Sequence, residues 1–81
     1  MRARVFVSLK STVLDPQGQA IRSALHSLGY SAIADVRQGK FFDIAIADGV
    51  TREQAQKDVE TAAHEVLANP VIEEYRVEFL D

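Results

Sequence analysis

The sequence predicts an α+β domain with the element order β-α-β-β-α-β: a four-stranded antiparallel sheet with two helices on one face, a ferredoxin-like arrangement. Three observations carry this expectation. Runs of alternating polarity stand near both ends of the chain, two segments of helical apolar spacing have clear start signals, and 81 residues hold one domain, spanning 1–81, and no second.

Ala3 to Lys10 alternates, with Ala3, Val5, Val7 and Leu9 on one side and Arg4, Phe6, Ser8 and Lys10 on the other, the period of a half-buried strand. Asp15 then caps a helix whose first position is Pro16, a residue with no amide hydrogen to leave unpaired. Ile21, Ala24, Leu25 and Leu28 follow at helical spacing, and Gly29 suits a left-handed cap, so this helix is expected over 16–28. Gly18 in its first turn costs about 0.8–1 kcal/mol relative to Ala in a helix interior, which points either to a close backbone approach or partner contact there, or to a frayed start.

Two short strands, 32–37 and 41–47, fit next as a hairpin through Gln38-Gly39-Lys40. A three-residue loop sets Val36 opposite Phe42 and Ala34 opposite Ile44, giving one apolar face, whereas a two-residue loop sets Asp35 against an apolar residue. The second helix is expected over 51–68: Thr51 and Gln54 occupy capping-box positions, Val50 and Ala55 the hydrophobic staple, and Asn69-Pro70 stops it. Its apolar stripe is Ala55, Val59, Ala62, Ala63, Val66 and Leu67. The last strand, 71–79, turns Val71, Tyr75, Val77 and Phe79 one way and Ile72, Glu74, Arg76 and Glu78 the other.

With both helices on one face, the other face of the sheet is left to Phe6, Ile33, Phe41 and Ile72 among charged neighbours. A face turned to water needs no pair of phenylalanines, so these four are the candidate residues for self-association. The chain has no cysteine to staple or metallate a small core, which also favours oligomerisation. A net charge of −3 argues against a nucleic-acid or anionic-membrane binder, and no apolar run reaches the ~20 residues of a membrane span or follows Arg2 and Arg4 as a signal peptide would. The expectation is a cytoplasmic protein of a bacterium or archaeon.

Catalytic machinery is not legible. The two histidines, His26 and His64, fall on the polar sides of their helices, the carboxylates are scattered rather than ligand-spaced, and only isolated glycines stand where a phosphate loop would need several. No catalytic residue, no metal ligand and no bound cofactor is therefore expected. Phe6 and Phe41 lie where an RNA-recognition fold stacks bases, but residues 37–43 fit the basic-Gly-aromatic motif poorly. A small-ligand sensor of the ACT type shares the element order but normally comes fused to an enzyme.

Three segments in register resemble the PurS family: Leu9-Lys10 with Val13-Leu14-Asp15-Pro16-Gln17-Gly18, then residues 35–40, Asp-Val-Arg-Gln-Gly-Lys, then residues 67–75, Leu-Ala-Asn-Pro-Val-Ile-Glu-Glu-Tyr. Phe41-Phe42-Asp43 departs slightly from that pattern, where one aromatic and one aliphatic residue are usual. The resemblance implies the non-catalytic small subunit of phosphoribosylformylglycinamidine (FGAM) synthase, joining a large ATP-dependent synthetase subunit to a glutaminase subunit and forming a homodimer or tetramer. It implies no cofactor on this chain, with ATP and Mg²⁺ used by the synthetase, and no nucleic-acid or membrane partner. Carried over by position, Lys10, Asp15, Gln17, Gly18, Arg37, Lys40, Asn69 and Tyr75 become the candidate partner-interface residues. Asp15 and Pro16 also start a helix, Gly39 also makes a turn and Asn69-Pro70 also stops a helix; Lys10, Gln17, Arg37 and Lys40 are required by neither a helix start nor a turn.

Overall fold

A computed structural model describes residues 1–80. Strand β1 (Arg2–Leu9) is central in an antiparallel sheet of order β2-β1-β3, flanked by β2 (Gly39–Ala45) and β3 (Glu73–Leu80). Helix α1 (Pro16–Ser27) follows β1, and helix α2 (Arg52–Ala62) lies between β2 and β3, continuing through one wide turn over Ala63–Leu67. In β1, Ala3, Val5 and Val7 are fully or almost fully buried, as the alternation requires. They pack with Val59, Ala63 and Ala68 beneath α2, and half-buried Phe42, Ile44, Val77 and Phe79 surround them.

The sheet has three strands where four were expected. Residues 32–37 form no strand, and Gln38-Gly39-Lys40 is no hairpin turn: Gly39 and Lys40 already belong to β2, opposite Ser8 and Val7. The segment lies beside α1 instead, where Arg22 Nε donates to the Ala34 carbonyl at 2.7 Å and His26 Nε2 lies 2.6 Å from that of Ile33. Nor does α1 share a helix layer with α2. Gly18 is its one buried residue, and Ile21 and the C-cap residue Leu28 are exposed.

Helix α1 and residues 28–38 thus form an arm. The radius of gyration is 16.2 Å, against roughly 12 Å for a compact chain of this length. The accessible surface, 5842 Å², exceeds by about 1,000 Å² the roughly 4,850 Å² of a compact 9.0 kDa protein. The fully buried side chains are small, Val5 and Val7 being the largest, so this monomer has a thin core.

The helix ends follow local chemistry more faithfully. Asp15 accepts from the Gly18 amide at 2.9 Å, Thr51 Oγ1 accepts from the Gln54 amide at 3.2 Å, and Gly29 closes α1 with φ +96°. The side chain of Gln54 donates to Asp58 at 2.8 Å and does not complete the capping box. The end of α2 departs from the expected stripe, since Ala68 N donates to Ala63 O at 3.0 Å, five residues back. The extra residue in that turn rotates the apolar face, burying Ala68 and leaving Val66 77% exposed.

Candidate functional site

Antiparallel pairing gathers at one end of the sheet the close of β1, the start of α1 and the starts of β2 and β3. All eight candidate partner-interface residues lie there, although they span Lys10 to Tyr75 in sequence. Two adjoining clefts mark the surface. One of about 240 Å³ is lined by residues including Asp15, Gln17, Lys40 and Glu73, and one of about 280 Å³ by residues including Lys10, His64, Glu73 and Tyr75.

Asp15 is the pin. Its Oδ1 accepts from the Gly18 amide at 2.9 Å and its Oδ2 from the Gln38 amide at 2.7 Å, joining the start of α1 to the residue before β2. The Gln38 and then the Gly18 amide hold its carboxyl below its ordinary value of 3.8, with Arg37 adding to the effect and burial opposing it. A carboxylate whose folded pKa is depressed contributes stability that is present above the unfolded value and lost as pH falls through the folded one. Wild-type urea midpoints are therefore expected to fall on acidification through and below pH 3.8 more steeply than those of Asp15→Asn; parallel curves would remove Asp15 as the cause.

Arg37 has an internal job that sequence alone does not show. Its Nη2 donates to the carbonyls of Lys10 at 2.9 Å and Val13 at 3.0 Å, closing the β1–α1 loop over the arm. Gly18 is also explained, because an added Cβ would stand 2.3 Å from the Val36 carbonyl oxygen. The close-approach reading holds, and the frayed-start reading fails. Asn69 is structural as well: its Oδ1 accepts from the Val71 amide at 3.0 Å, while its own amide donates to Glu73 Oε1 at 2.7 Å.

Glu73 lines both clefts and was missed in the sequence. Its other oxygen, Oε2, lies 4.0 Å from Lys40 Nζ, and its side chain is only 18% exposed. The signal was available: Glu73 has the parity of Val71, Tyr75 and Val77, so an acid interrupts the inward-facing series of the last strand. Of the cleft carboxylates, Asp15 and Glu73 are committed to backbone amides and to Lys40. The site consequently offers an anchored, polar, shaped surface rather than a poised acid, base or nucleophile.

On the opposite sheet face, Phe6 and Phe41 are paired in register with ring centroids 6.0 Å apart. The Arg76 guanidinium lies 4.4 Å from the Phe6 centroid and that of Arg4 lies 4.8 Å from the Phe41 centroid. The structure brings only these two of the four self-association candidates together. Ile33 stands on the arm because its strand does not form, and Ile72 lies in the turn before β3, where its carbonyl accepts from the Lys10 amide at 2.9 Å.

The family model described as PurS, phosphoribosylformylglycinamidine (FGAM) synthase, matches residues 2–81. This chain belongs to the PurS family. The PurS subunit of Bacillus subtilis is 43% identical over 95% of this chain and 89% of its own length. That of Mycobacterium leprae is 46% identical over 94% and 91% respectively. Among solved structures, PurLQS from Thermotoga maritima superposes with a TM-score of 0.88 at 32% identity, covering 98% of this chain and 95% of that one. The B. subtilis PurS structure gives 0.82 at 43% identity, covering 95% and 94%. Within this PurS-family chain no helix is long and apolar enough to cross a membrane, among the described residues.

Proposed function

We propose that this chain is the non-catalytic PurS subunit of a cytoplasmic FGAM synthase, bridging a synthetase subunit and a glutaminase subunit for ammonia transfer in purine synthesis. The observation that carries the reading is the gathering of Lys10, Gln17, Lys40 and Tyr75 on one cleft-bearing end of the sheet, in a chain of the PurS family. Arg37, Asp15, Gly18 and Asn69 shape that end from within, and the side chains on its rim make the contacts. A structure related over nearly the whole chain is described as PurLQS, which supports an assembly of this kind. The chain binds no cofactor itself; ATP and Mg²⁺ act on the synthetase. It self-associates as a dimer or tetramer, with the Phe6–Phe41 face as one contact surface. The excess surface and thin core support this, since a small monomer has little apolar burial to forgo.

Size exclusion tests the assembly directly. With ATP, Mg²⁺ and glutamine present, the chain is expected to comigrate with the synthetase and glutaminase subunits. Unchanged elution of all three would overturn the bridging role and favour an independent ligand-binding module.

A further inference from the structure

An aspartate carboxyl lies within reach of the amide nitrogen of the residue that follows it. The two can close a five-membered imide where that nitrogen carries hydrogen, is not held elsewhere and belongs to a residue without a branched side chain. The described residues hold five aspartates and one asparagine. Asp15 and Asn69 precede proline, which has no amide hydrogen to give up. Asp35, Asp43 and Asp58 precede Val36, Ile44 and Val59, whose β-branches crowd the approach. Of these residues only Asp48 precedes glycine. The fold leaves that pair open. Asp48 and Gly49 form an exposed turn between β2 and α2, and among the described residues neither the Asp48 carboxyl nor the Gly49 amide has a hydrogen-bond or ion-pair partner. Asp43 and Asp58, by contrast, are engaged with Arg4 and with the Gln54 side chain, each at 2.8 Å. Gly49 has φ +85°, where L side chains are strained, and an added Cβ would meet nothing within 4 Å. The turn therefore calls for glycine, and glycine is the residue that leaves the nitrogen accessible.

We propose that Asp48 is a self-modification site, at which the main chain passes through a succinimide to a β-linked isoaspartate. The Gly49 nitrogen bonds to Cγ of the protonated Asp48 carboxyl, and the amide proton leaves with the acid's hydroxyl as water. Water then adds to one of the two imide carbonyls. Addition at Cγ breaks the new N–Cγ bond and restores aspartate. Addition at the main-chain carbonyl carbon breaks the original peptide bond, so that the chain continues through Cβ and Cγ and the α-carboxylate is left free. One water leaves and one returns, and no oxidant, reductant or cofactor is consumed. The free α-carboxylate is the group that S-adenosylmethionine-dependent isoaspartyl methyltransferases esterify, and that class of enzyme is the partner the modified turn fits. The added main-chain carbon falls between two anchors, the Ile46 amide on the Met1 carbonyl at 3.0 Å and the Thr51 cap on the Gln54 amide at 3.2 Å. It lies at the end of the sheet where Ala45 pairs with Arg2, opposite the end where Gly39 pairs with Ser8 beside the candidate partner site. The modification thus stands apart from the bridging role and from self-association.

The test incubates the folded chain at physiological temperature and pH and scores isoaspartate against an unincubated sample. Two readouts are used: methyl transfer from S-adenosylmethionine by a purified isoaspartyl methyltransferase, and electron-transfer fragmentation of the digested chain, which separates α-linked from β-linked residues. Because no internal hydrogen bond has to break first, conversion at Asp48 is expected within about tenfold of the rate in a free peptide of residues 44–53, a barrier difference below ~1.4 kcal/mol. The signal is expected in the fragment that holds Asp48 and not in the one that holds Asp35, which is also exposed and without a side-chain partner but precedes Val36. Asp48→Glu keeps the charge in the same exposed turn but would have to close a six-membered ring, and is expected to lose the signal. Asp48→Asn, from which ammonia leaves in place of water, is expected to raise it. A folded chain in which Asp48 stays α-linked while the free peptide converts more than about tenfold faster would overturn the proposal, since the turn would then hold the two groups apart. Equal conversion at Asp35, or a signal that survives in Asp48→Glu, would overturn it as well.

Discussion

Gly18→Ala is expected to destabilise the chain, opposite in sign to what helix propensity gives. In an exposed helix interior the change would gain about 0.8–1 kcal/mol. Here the new Cβ would be placed 2.3 Å from the Val36 carbonyl oxygen and 2.7 Å from Asp15 Oδ2, and a backbone carbonyl cannot swing aside as a flexible side chain can. Overpacking of this kind costs about 1–3 kcal/mol. The strain falls on the bonds that hold the arm, Asp15 to the Gln38 amide and Arg37 to the Lys10 and Val13 carbonyls. In an 81-residue domain a loss of 1 kcal/mol lowers the melting temperature by ~4–8 °C. Thermal unfolding of the variant, with amide exchange at Gln38, reads the effect. A melting point at or above the wild type, with Gln38 still protected, would show that the tight approach carries no energetic weight.

What the sequence disclosed and what it withheld divide along the range of the interactions involved. The caps at Asp15 and Thr51 and the left-handed Gly29 depend on residues within a turn of one another, and they were legible. So was the parity of β1 and β3, because burial on one face fixes which residues alternate inward. The segment at 32–37 was not, since its apolar alternation reads as a strand while the bonds that lay it beside α1, Arg22 to the Ala34 carbonyl and Asp15 to the Gln38 amide, join residues far apart in sequence. Val66 was misplaced because one residue added to the turn at Ala63–Leu67 shifts the helical wheel, and no local signal announces such a turn. At the candidate site, the resemblance to the PurS family pointed to segments that the fold gathers at one end of the sheet. It could not separate Arg37 and Asn69, which hold backbone, from Lys10 and Lys40 on the rim. That distinction needed geometry. Glu73 was the converse case, readable as an acid in an inward series and passed over.

The account's central claim is that this chain contributes position and not chemistry. Asp15 and Glu73, which line its clefts, are already bound to amides or to Lys40, and under the proposed function hydrolysis of glutamine and activation of the amide by ATP fall to the partner subunits. What a bridging subunit adds is the arrangement that lets ammonia pass between two active sites before it escapes into solvent as ammonium, and such an advantage is lost as a whole when the arrangement is lost. The most direct measurement compares two rates of FGAM formation by synthetase and glutaminase subunits, one driven by glutamine and one by a high concentration of ammonium salt, with this chain present and with it left out. Omission is predicted to abolish the glutamine-dependent rate while the ammonium-dependent rate keeps a substantial fraction of its value. If omission lowers both rates equally, the chain shapes the synthetase active site itself, and the bridging role is contradicted.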